Sequence, residues 1–204
     1  ANGDGLPDTW EWDGNNWVQR TSVTNPPARY HHAMAYDSAR GRVVLFGGDY
    51  QSNDFADTWE WDGNNWVQRT SVTNPPAREH HAMTFDNALG RIVLFGGHAS
   101  SGYLADTWEL DGNNWVKRVP ATSPSARQGH TMAYNNARGS VMLFGGEVNT
   151  NILADTWEWD GSNWIEGTPA KSPSARWLHR MAFDSARERV VLFGGYPGTS
   201  CCFS

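Results

Sequence analysis

The histidines are the residues of this sequence best suited to chemistry, because an imidazole can bind a metal ion or exchange a proton near neutral pH. Six of the seven form two adjacent pairs and two single residues: His31-His32, His80-His81, His130 and His179. Four of these, at positions 32, 81, 130 and 179, stand 49 residues apart. A residue that recurs at one spacing serves each repeated unit. We therefore predict that these four bond to backbone or to an arginine inside their own units. Their convergence on one axis, as a metal or anion site, is the alternative.

The first residues of the chain place oxygen ligands at the spacing of a calcium-binding loop. Asn2, Asp4, Asp8 and Glu11 match the third, fifth, ninth and twelfth positions of an EF-hand-like loop, with Gly5 at the sixth. The first ligand position is missing, and residues equivalent to Asp8 and Glu11 recur later in the chain where no such loop exists. A solvated turn is therefore favoured, and calcium bound by these four residues is the alternative.

The tryptophans offer a second kind of site, since an indole ring can stack on a sugar. Eleven of the twelve recur at fixed positions, which favours a role in packing between repeated units. Trp177 is the exception, because its counterparts in the other units are not tryptophan. We expect Trp177 to be exposed and to bind a partner. The alternative is that it packs in a seam between the last unit and the first.

Other features of the sequence exclude several functions. It contains no Gly-x-Ser-x-Gly, no phosphate-binding glycine loop and no His-Glu-x-x-His, so no catalytic set is evident and no cofactor is expected. The net charge of −6 and the pI near 5.6 argue against nucleic acid as a partner. Apolar stretches such as residues 43–46 are too short for insertion into a membrane. The adjacent Cys201 and Cys202 can neither staple the fold nor form a CxxC metal motif.

An internal repeat of 49 residues accounts for most of these patterns. Asp-Thr-Trp begins at residues 8, 57, 106 and 155, and Phe-Gly-Gly begins at residues 46, 95, 144 and 193. The segment 8–29 is identical to the segment 57–78. Four such units cover 196 of the 204 residues. We predict a single domain over residues 1–204, with units at about 8–56, 57–105, 106–154 and 155–204.

Each unit predicts four short antiparallel strands. In the first complete set, strand A covers residues 30–37, strand B 42–46, strand C 57–61 and strand D 66–69. The segment Asp62-Gly63-Asn64-Asn65 is a hairpin signal, since these residue types tolerate the positive φ of a tight turn. Pro75 and Pro76 then end the strand pairing. Four strands per 49 residues, without a helical period, are typical of one blade of a β-propeller.

The apolar run that ends in Gly-Gly, the aromatic pair on the following hairpin and an Arg-x-x-His element in each unit resemble kelch repeats. The four Arg-x-x-His elements are Arg29/His32, Arg78/His81, Arg127/His130 and Arg176/His179. The resemblance covers essentially the whole chain, and it implies an all-β, kelch-type β-propeller. The hairpin is shorter than is usual in kelch units, a form similar to the kelch repeats of secreted bacterial proteins. The resemblance therefore implies an extracellular bacterial protein. Because no apolar signal region stands at the N-terminus, we expect any signal peptide to be absent from this sequence.

The phase of the repeat predicts how the propeller closes. The chain begins with strands C and D of a blade and ends with strands A and B. We therefore predict four blades of four antiparallel strands, the last of them completed by the N-terminal C–D hairpin. Such closure would leave no sheet edge exposed at the junction. An eight-blade ring shared by two chains and a longer repeat array stay open as alternatives.

The units differ most in segments that a propeller brings to one face. The B–C loops, which follow each Gly-Gly, differ completely, and so does the first residue of each predicted strand A. Variable loops on a rigid scaffold often carry its binding site. We predict a ligand-binding site on this B–C/D–A face, formed by Tyr30, Tyr50, Glu79, His98, Tyr103, Gln128, Glu147, Trp177 and Tyr196.

These observations favour a non-catalytic binding or scaffold propeller whose partner is a protein or a glycan. A structural repeat module of a surface assembly, which would self-associate, is one alternative. The other is a sugar-processing enzyme of the kelch fold. That function would need a polar cluster at the mouth of the propeller, such as Glu79 with His31, His80 or Arg180. The copper centre of galactose oxidase, an enzyme of this fold, needs a cysteine-modified tyrosine, and the only cysteines here lie in the C-terminal tail.

Overall fold

The computed structural model of the chain describes residues 5–198, and every regular element within them is a β-strand. The described part opens on a hairpin of two strands, β1 (Thr9–Trp12) and β2 (Trp17–Arg20). None of the described residues forms a helix that could cross a membrane. The predicted all-β fold is confirmed.

Three four-stranded antiparallel sheets, each one blade, follow this hairpin. The first blade and its loop contain β3 (Ala33–Asp37), β4 (Arg42–Phe46), β5 (Asp49–Tyr50), β6 (Asn53–Asp54), β7 (Thr58–Trp61) and β8 (Trp66–Arg69). The second contains β9 (Ala82–Asp86), β10 (Arg91–Phe95), β11 (His98–Ala99), β12 (Gly102–Tyr103), β13 (Thr107–Leu110) and β14 (Trp115–Arg118). The third contains β15 (Thr131–Asn135), β16 (Ser140–Phe144), β17 (Glu147–Val148), β18 (Asn151–Ile152), β19 (Thr156–Trp159) and β20 (Trp164–Gly167).

The four long strands of each blade pair in chain order, and the two short strands form a separate hairpin inside the B–C loop. A final two-stranded hairpin, β21 (Arg180–Asp184) and β22 (Arg189–Phe193), ends the described part. It corresponds to strands A and B of a fourth blade. The hairpin β1–β2 corresponds to strands C and D of a blade.

The observed strands match the predicted strands B and D and differ at strand A. Strand A of the first blade begins at Ala33 and not at residue 30, because His31 has a φ of 51°, which interrupts the extended backbone. Tyr30 instead forms an isolated bridge with Asp49. The short hairpins in the B–C loops were not predicted, since strands of two residues are too short to give a pattern.

A buried arginine ties each blade together. The guanidinium of Arg78 donates to both carboxylate oxygens of Asp106, over 2.7 and 2.9 Å, and to the Gly96 carbonyl over 2.9 Å. The arginine precedes strand A and the aspartate precedes strand C, so this clamp joins the inner and outer hairpins of one blade by a bidentate ion pair. The other two blades repeat it, as Arg29 with Asp57 and Arg127 with Asp155.

Adjacent blades lock together through tryptophans of the outer hairpins, as the repeat predicted. The indole N–H of the buried Trp115 donates to the Thr58 hydroxyl of the preceding blade over 2.9 Å. The core around this ring contains residues of both blades, including Phe46 from one and Leu94 from the other. The neighbouring seams repeat the bond, as Trp66 with Thr9 and Trp164 with Thr107.

The structure differs from the predicted closure of the ring. The hairpins β1–β2 and β21–β22 form separate two-stranded sheets, so the N-terminal hairpin does not complete the last blade. It packs against the first full blade instead, where Trp61 donates to Glu11 over 2.7 Å. The inner strands pack in succession, β3 on β9, β9 on β15 and β15 on β21. The 49-residue period determines the strands of each blade, whereas the angle between adjacent blades determines how many blades close a ring. No sequence pattern encodes that angle.

Replacing Asp106 with asparagine tests the clamp. The change leaves the fully buried Arg78 guanidinium without its carboxylate, and removing one partner of a buried ion pair costs about 3–5 kcal/mol. We expect the free energy of unfolding in urea to fall by that amount. Glu166→Gln, which removes an exposed carboxylate of β20, should change it by less than about 0.5 kcal/mol. Equal stability of the two variants would contradict the role given to the clamp.

Candidate functional site

The two variable sets of residues lie side by side. The first residue of each predicted strand A forms a β-bridge with the first residue of the B–C loop in its own blade. The pairs are Tyr30 with Asp49, Glu79 with His98, Gln128 with Glu147 and Trp177 with Tyr196. Each blade therefore presents both variable segments together on the B–C/D–A face.

A series of left-handed residues follows the inner rim of this face. His31, His80, Gly129 and Leu178 stand at the same position in successive units, with φ between 51° and 62°. The N–H of each of the last three donates to the carbonyl of the one before it, over 2.7–3.0 Å. Positive φ is uncommon for residues other than glycine and persists where the surrounding structure enforces it. This ladder brings the His31 and His80 side chains together.

A cluster of charged and titratable side chains surrounds these two histidines. Their rings stack at 3.8 Å between centroids, with 26° between the planes. The Nδ1 of His31 lies 2.7 Å from Asp49 Oδ1 and 3.1 Å from Glu79 Oε2. Carboxylate oxygens of Glu79 lie 3.7 Å from His80 Nε2 and 3.8 Å from His98 Nδ1. We call these five residues, His31, Asp49, Glu79, His80 and His98, the mouth cluster.

The two stacked imidazoles differ in their affinity for a proton. The hydrogen bond with Glu79 raises the pKa of His31 against the effect of burial, and Asp49 adds to the rise. Burial, together with the charge of His31, lowers the pKa of His80 to about 4. The hydrogen bond with His31 in turn lowers the pKa of Glu79. The cluster therefore favours a proton on His31, between carboxylates, over one on His80, whose neutral ring can act as a ligand.

Three residues of the mouth cluster could hold a metal ion. One ligand atom each from His31, Glu79 and His80 lies within 4.8 Å of the other two. Over residues 5–198, this is the one group of three or more His, Cys, Asp or Glu side chains that meets in this way. Two imidazole nitrogens and a carboxylate oxygen suit Zn²⁺. Such binding would displace the proton from His31.

The mouth cluster opens into a cavity of about 420 Å³ between the inner strands. Methionines from three successive blades form its apolar wall, namely Met34, Met83 and Met132. Arg180 lines it from β21, with its guanidinium donating to the His179 carbonyl over 3.0 Å. Methionine side chains adapt to the shape of what they contact, so this cavity can take an inserted side chain.

The predicted site residues divide into those near the mouth cluster and those used elsewhere. Glu79 and His98 belong to the cluster, and Tyr103 stands edge-on to His98 at 5.1 Å. Tyr30 lies beside His31, with its ring 6.2 Å from that of Tyr50. These contacts place the tyrosines at the rim of the cluster.

The remaining predicted residues lie on the third and fourth blades. Gln128 donates to Glu147 over 2.6 Å, and Glu147 is buried, so this pair is used inside its own blade. Tyr196 is exposed. His31, His80 and Asp49 are not among the ligand-binding residues that the sequence predicts. Both histidines were named only as partners of Glu79 in the cluster that an enzyme would need. The signal was present in the sequence, because the rim position breaks the repeat by changing from histidine to Gly129 and Leu178.

Trp177 is not the exposed aromatic residue that the sequence analysis expected. It is 6% exposed, and its indole N–H donates to the Gly198 carbonyl over 3.0 Å. A Cβ at Gly129 would meet its ring at 2.8 Å, so the indole packs directly on the third blade. Trp177 therefore fills a seam, between the third and fourth blades and not between the last and the first.

Three of the four recurrent histidines pack against phenylalanines and do not bond to arginine, and the fourth, His32, is exposed. His81, His130 and His179 are buried, and each ring stands edge-on to a phenylalanine of the preceding blade at 5.5–5.6 Å. Their ring nitrogens make no hydrogen bond of normal length and angle. The backbone of Phe95 still lies close enough to His130 to oppose part of the fall in its pKa. Burial lowers the pKa of His130 to about 3 and that of His179 to about 4. Neutral rings in separate seams do not form a shared metal site.

The calcium prediction lies partly outside the described residues, because Asn2 and Asp4 do so. Asp8 accepts the indole N–H of Trp10 over 2.6 Å. Glu11 accepts hydrogen bonds from Arg20 and Trp61, each over 2.7 Å. These two carboxylates therefore serve the hairpin and its seam. The cysteine pair 201–202 also lies outside the described residues.

Comparison with known protein families agrees with the kelch-type fold described above. Residues 7–195 match the family model described as the KLHDC2/KLHL20/DRC7 Kelch-repeats domain. A search of curated proteins found no matching sequence.

The buried histidines should make stability depend on pH. They stay neutral in the folded chain but take up protons below about pH 6.5 once unfolded. The unfolded state then binds more protons, so the free energy of unfolding should fall as the pH drops from about 6.5 to about 4. His31, whose pKa is raised, acts in the opposite direction and above that window.

His130→Gln removes one of these proton sites and should reduce the slope of stability against pH, measured by urea unfolding at several pH values. Phe95→Leu loosens the same packing without removing a proton site, so it should lower stability at each pH and leave the slope unchanged. An unchanged slope in His130→Gln would mean that this ring is not kept neutral by burial.

Trp177→Ala should destabilise the protein by about 3–5 kcal/mol, as large aromatic-to-alanine changes in cores do. Tyr196→Ala, at the bridge partner of Trp177, serves as the control because its side chain is exposed. Thermal and urea unfolding of both variants would measure the difference. A stable Trp177→Ala variant would be incompatible with a seam residue.

Proposed function

The chain belongs to the Kelch-repeat family, and we propose on that ground that it is a non-catalytic scaffold that binds a protein through its B–C/D–A face. Kelch-repeat domains are generally protein-interaction scaffolds. In this proposal the mouth cluster is the centre of the contact. The exposed rings of Tyr30 and Tyr196 belong to its rim.

One observation carries the proposal: the fold does not need the mouth cluster. The third unit has Gln128 where the second has Glu79, and Gly129 where the second has His80. It nevertheless forms the same strands and the same backbone ladder. Half-buried titratable side chains with mutually shifted pKa values that the scaffold can do without are candidates for function.

The charges of the cluster suit a partner that carries a basic side chain. Burial raises the pKa of Asp49 and of Asp54, and the nearby charge of Glu79 adds to both. Asp49 and Glu79 of the cluster and the neighbouring Asp54 therefore disfavour one another's negative charge, which a single protonated histidine only partly offsets. A lysine or arginine of the partner would relieve this repulsion, and its methylene stem can rest on the methionines at the edge of the adjoining cavity.

Selection of a random peptide library displayed on phage against the immobilised chain tests this function. We expect the selected peptides to be rich in lysine or arginine and to bind more weakly as the salt concentration rises. Glu79→Gln should weaken their binding about tenfold or more, the effect of about 1.4 kcal/mol. Its melting temperature should stay unchanged, because Gln128 already occupies the equivalent position.

Glu166→Gln removes the same charge far from the mouth and should leave peptide binding unchanged. Failure to select any peptide, or peptide binding that is indifferent to Glu79→Gln, would contradict the proposal. Capture of glycans on an array, weakened by the same variant, would assign the face to a glycan instead.

The same cluster favours a second candidate function, the processing of a sugar. His31, His80 and Arg180 line one cavity, and Glu79 lies beside the two histidines, which is the polar arrangement that this function requires. Turnover of a panel of chromogenic glycosides, with and without added Zn²⁺ and lost in Glu79→Gln, would support it. No turnover across the panel would remove it.

A further inference from the structure

Both ends of the described array present faces that are buried between blades elsewhere. Phe193 is 84% exposed, whereas its counterpart Phe46 is fully buried. At the other end Trp17 is 64% exposed, whereas its counterpart Trp66 is 5% exposed. Exposed apolar patches of this kind mark surfaces that another chain covers.

The two faces are the two halves of one blade. Within residues 5–198, the sheet of β21–β22 consists of the inner strands of a blade alone, and the sheet of β1–β2 consists of the outer strands alone. In the first complete blade β4 pairs with β7, so that Phe46 stands opposite Thr58. The same register would place Phe193 of one copy opposite Thr9 of another and pair β22 with β1.

The clamp is also present in two halves. Arg176 donates to the Gly194 and Ser174 carbonyls over 2.9 and 3.0 Å, as Arg127 does to its own equivalents. Asp8 accepts the indole N–H of Trp10, as the clamp aspartates of the complete blades do from their own tryptophans. Arg176 and Asp8 thus already make the accessory bonds of a clamp, and each lacks the other.

The outer seam shows the same complementarity. In two of the described seams a tryptophan of the outer hairpin bonds a glutamate of the preceding blade. Trp61 bonds Glu11 Oε1 over 2.7 Å and Trp159 bonds Glu109 Oε1 over 3.2 Å, whereas the second blade has Leu110 at this position. The equivalent pair would be Trp12 of one copy and Glu158 of another. Glu158 receives Arg138 and Ser140 on Oε2, which leaves Oε1 to accept the indole.

We propose that two copies of this chain assemble head to tail, each supplying the missing half of a blade to the other. Pairing at both ends gives a ring of eight blades, six complete within the two chains and two shared, at the upper end of the usual range for propellers. A shared blade buries both exposed faces and leaves no open edge at the junction. The assembly does not use the B–C/D–A face and does not rest on its proposed function.

Native mass spectrometry and sedimentation across a dilution series test this assembly. The chain should form a species of twice its 22.7 kDa mass. Asp8→Arg places two arginines at each junction, and Arg176→Asp places two aspartates there, so each variant alone should associate about thirtyfold more weakly or worse per junction. Lys117→Asp makes the same charge change as Arg176→Asp, on β14 of the central blade, and should associate like the unchanged chain.

Mixing the two variants separates specific pairing from adhesion of apolar faces. In a mixed pair one junction brings the two substituted positions together, as an ion pair with its charges exchanged, and the other keeps the natural pair. A one-to-one complex should therefore reappear. A series of larger masses restored only by mixing would support the pairing of the half-blades and overturn the closed ring of two copies, since head-to-tail contacts that do not close make open chains. A chain that stays monomeric when concentrated, or an association that mixing does not restore, would overturn the proposal.

Discussion

The ion pair between a buried arginine and the aspartate before strand C is the interaction on which each blade depends. A buried guanidinium requires a carboxylate, because an unpaired charge in the interior is far costlier than an exposed one. Arg78 therefore fixes the start of β13 through Asp106 and the first glycine of the Gly-Gly pair through the Gly96 carbonyl. Those two points set where the B–C loop leaves the blade and returns to it. The position of the binding face follows from this clamp.

Function in this molecule is separable from the repeat. The clamps recur in the three complete blades, and the tryptophan bonds and the buried histidines recur at successive seams, so together they hold the scaffold. The mouth cluster appears where the regularity fails, at a rim position held with positive φ by hydrogen bonds between blades. Because the backbone there is the same with His80 or Gly129, the side chain can vary without disturbing the strands. The scaffold thus gives the site its geometry, and departures from the repeat give it its chemistry.

The sequence predicts the local structure of this protein well and its long-range contacts poorly. Strands B and D and their hairpin turns depend on neighbouring residues, so their bounds were correct. The burial of Trp177 depends on the absence of a side chain at Gly129, in another blade. The mouth cluster likewise depends on Asp49 and Glu79 meeting across a seam. The separation of the two terminal hairpins depends on the angles between adjacent blades, which no pattern of residues expresses.

Protection of Phe193 from solvent tests most directly whether the hairpins β1–β2 and β21–β22 are two halves of one blade. Hydroxyl-radical labelling, read out by mass spectrometry, would compare Phe193 with the buried Phe144 over a dilution series. We expect Phe193 to be as protected as Phe144 in concentrated solution and to become labelled on dilution, because its cover comes from a second copy. Labelling of Phe193 that does not change with concentration would contradict the shared blade.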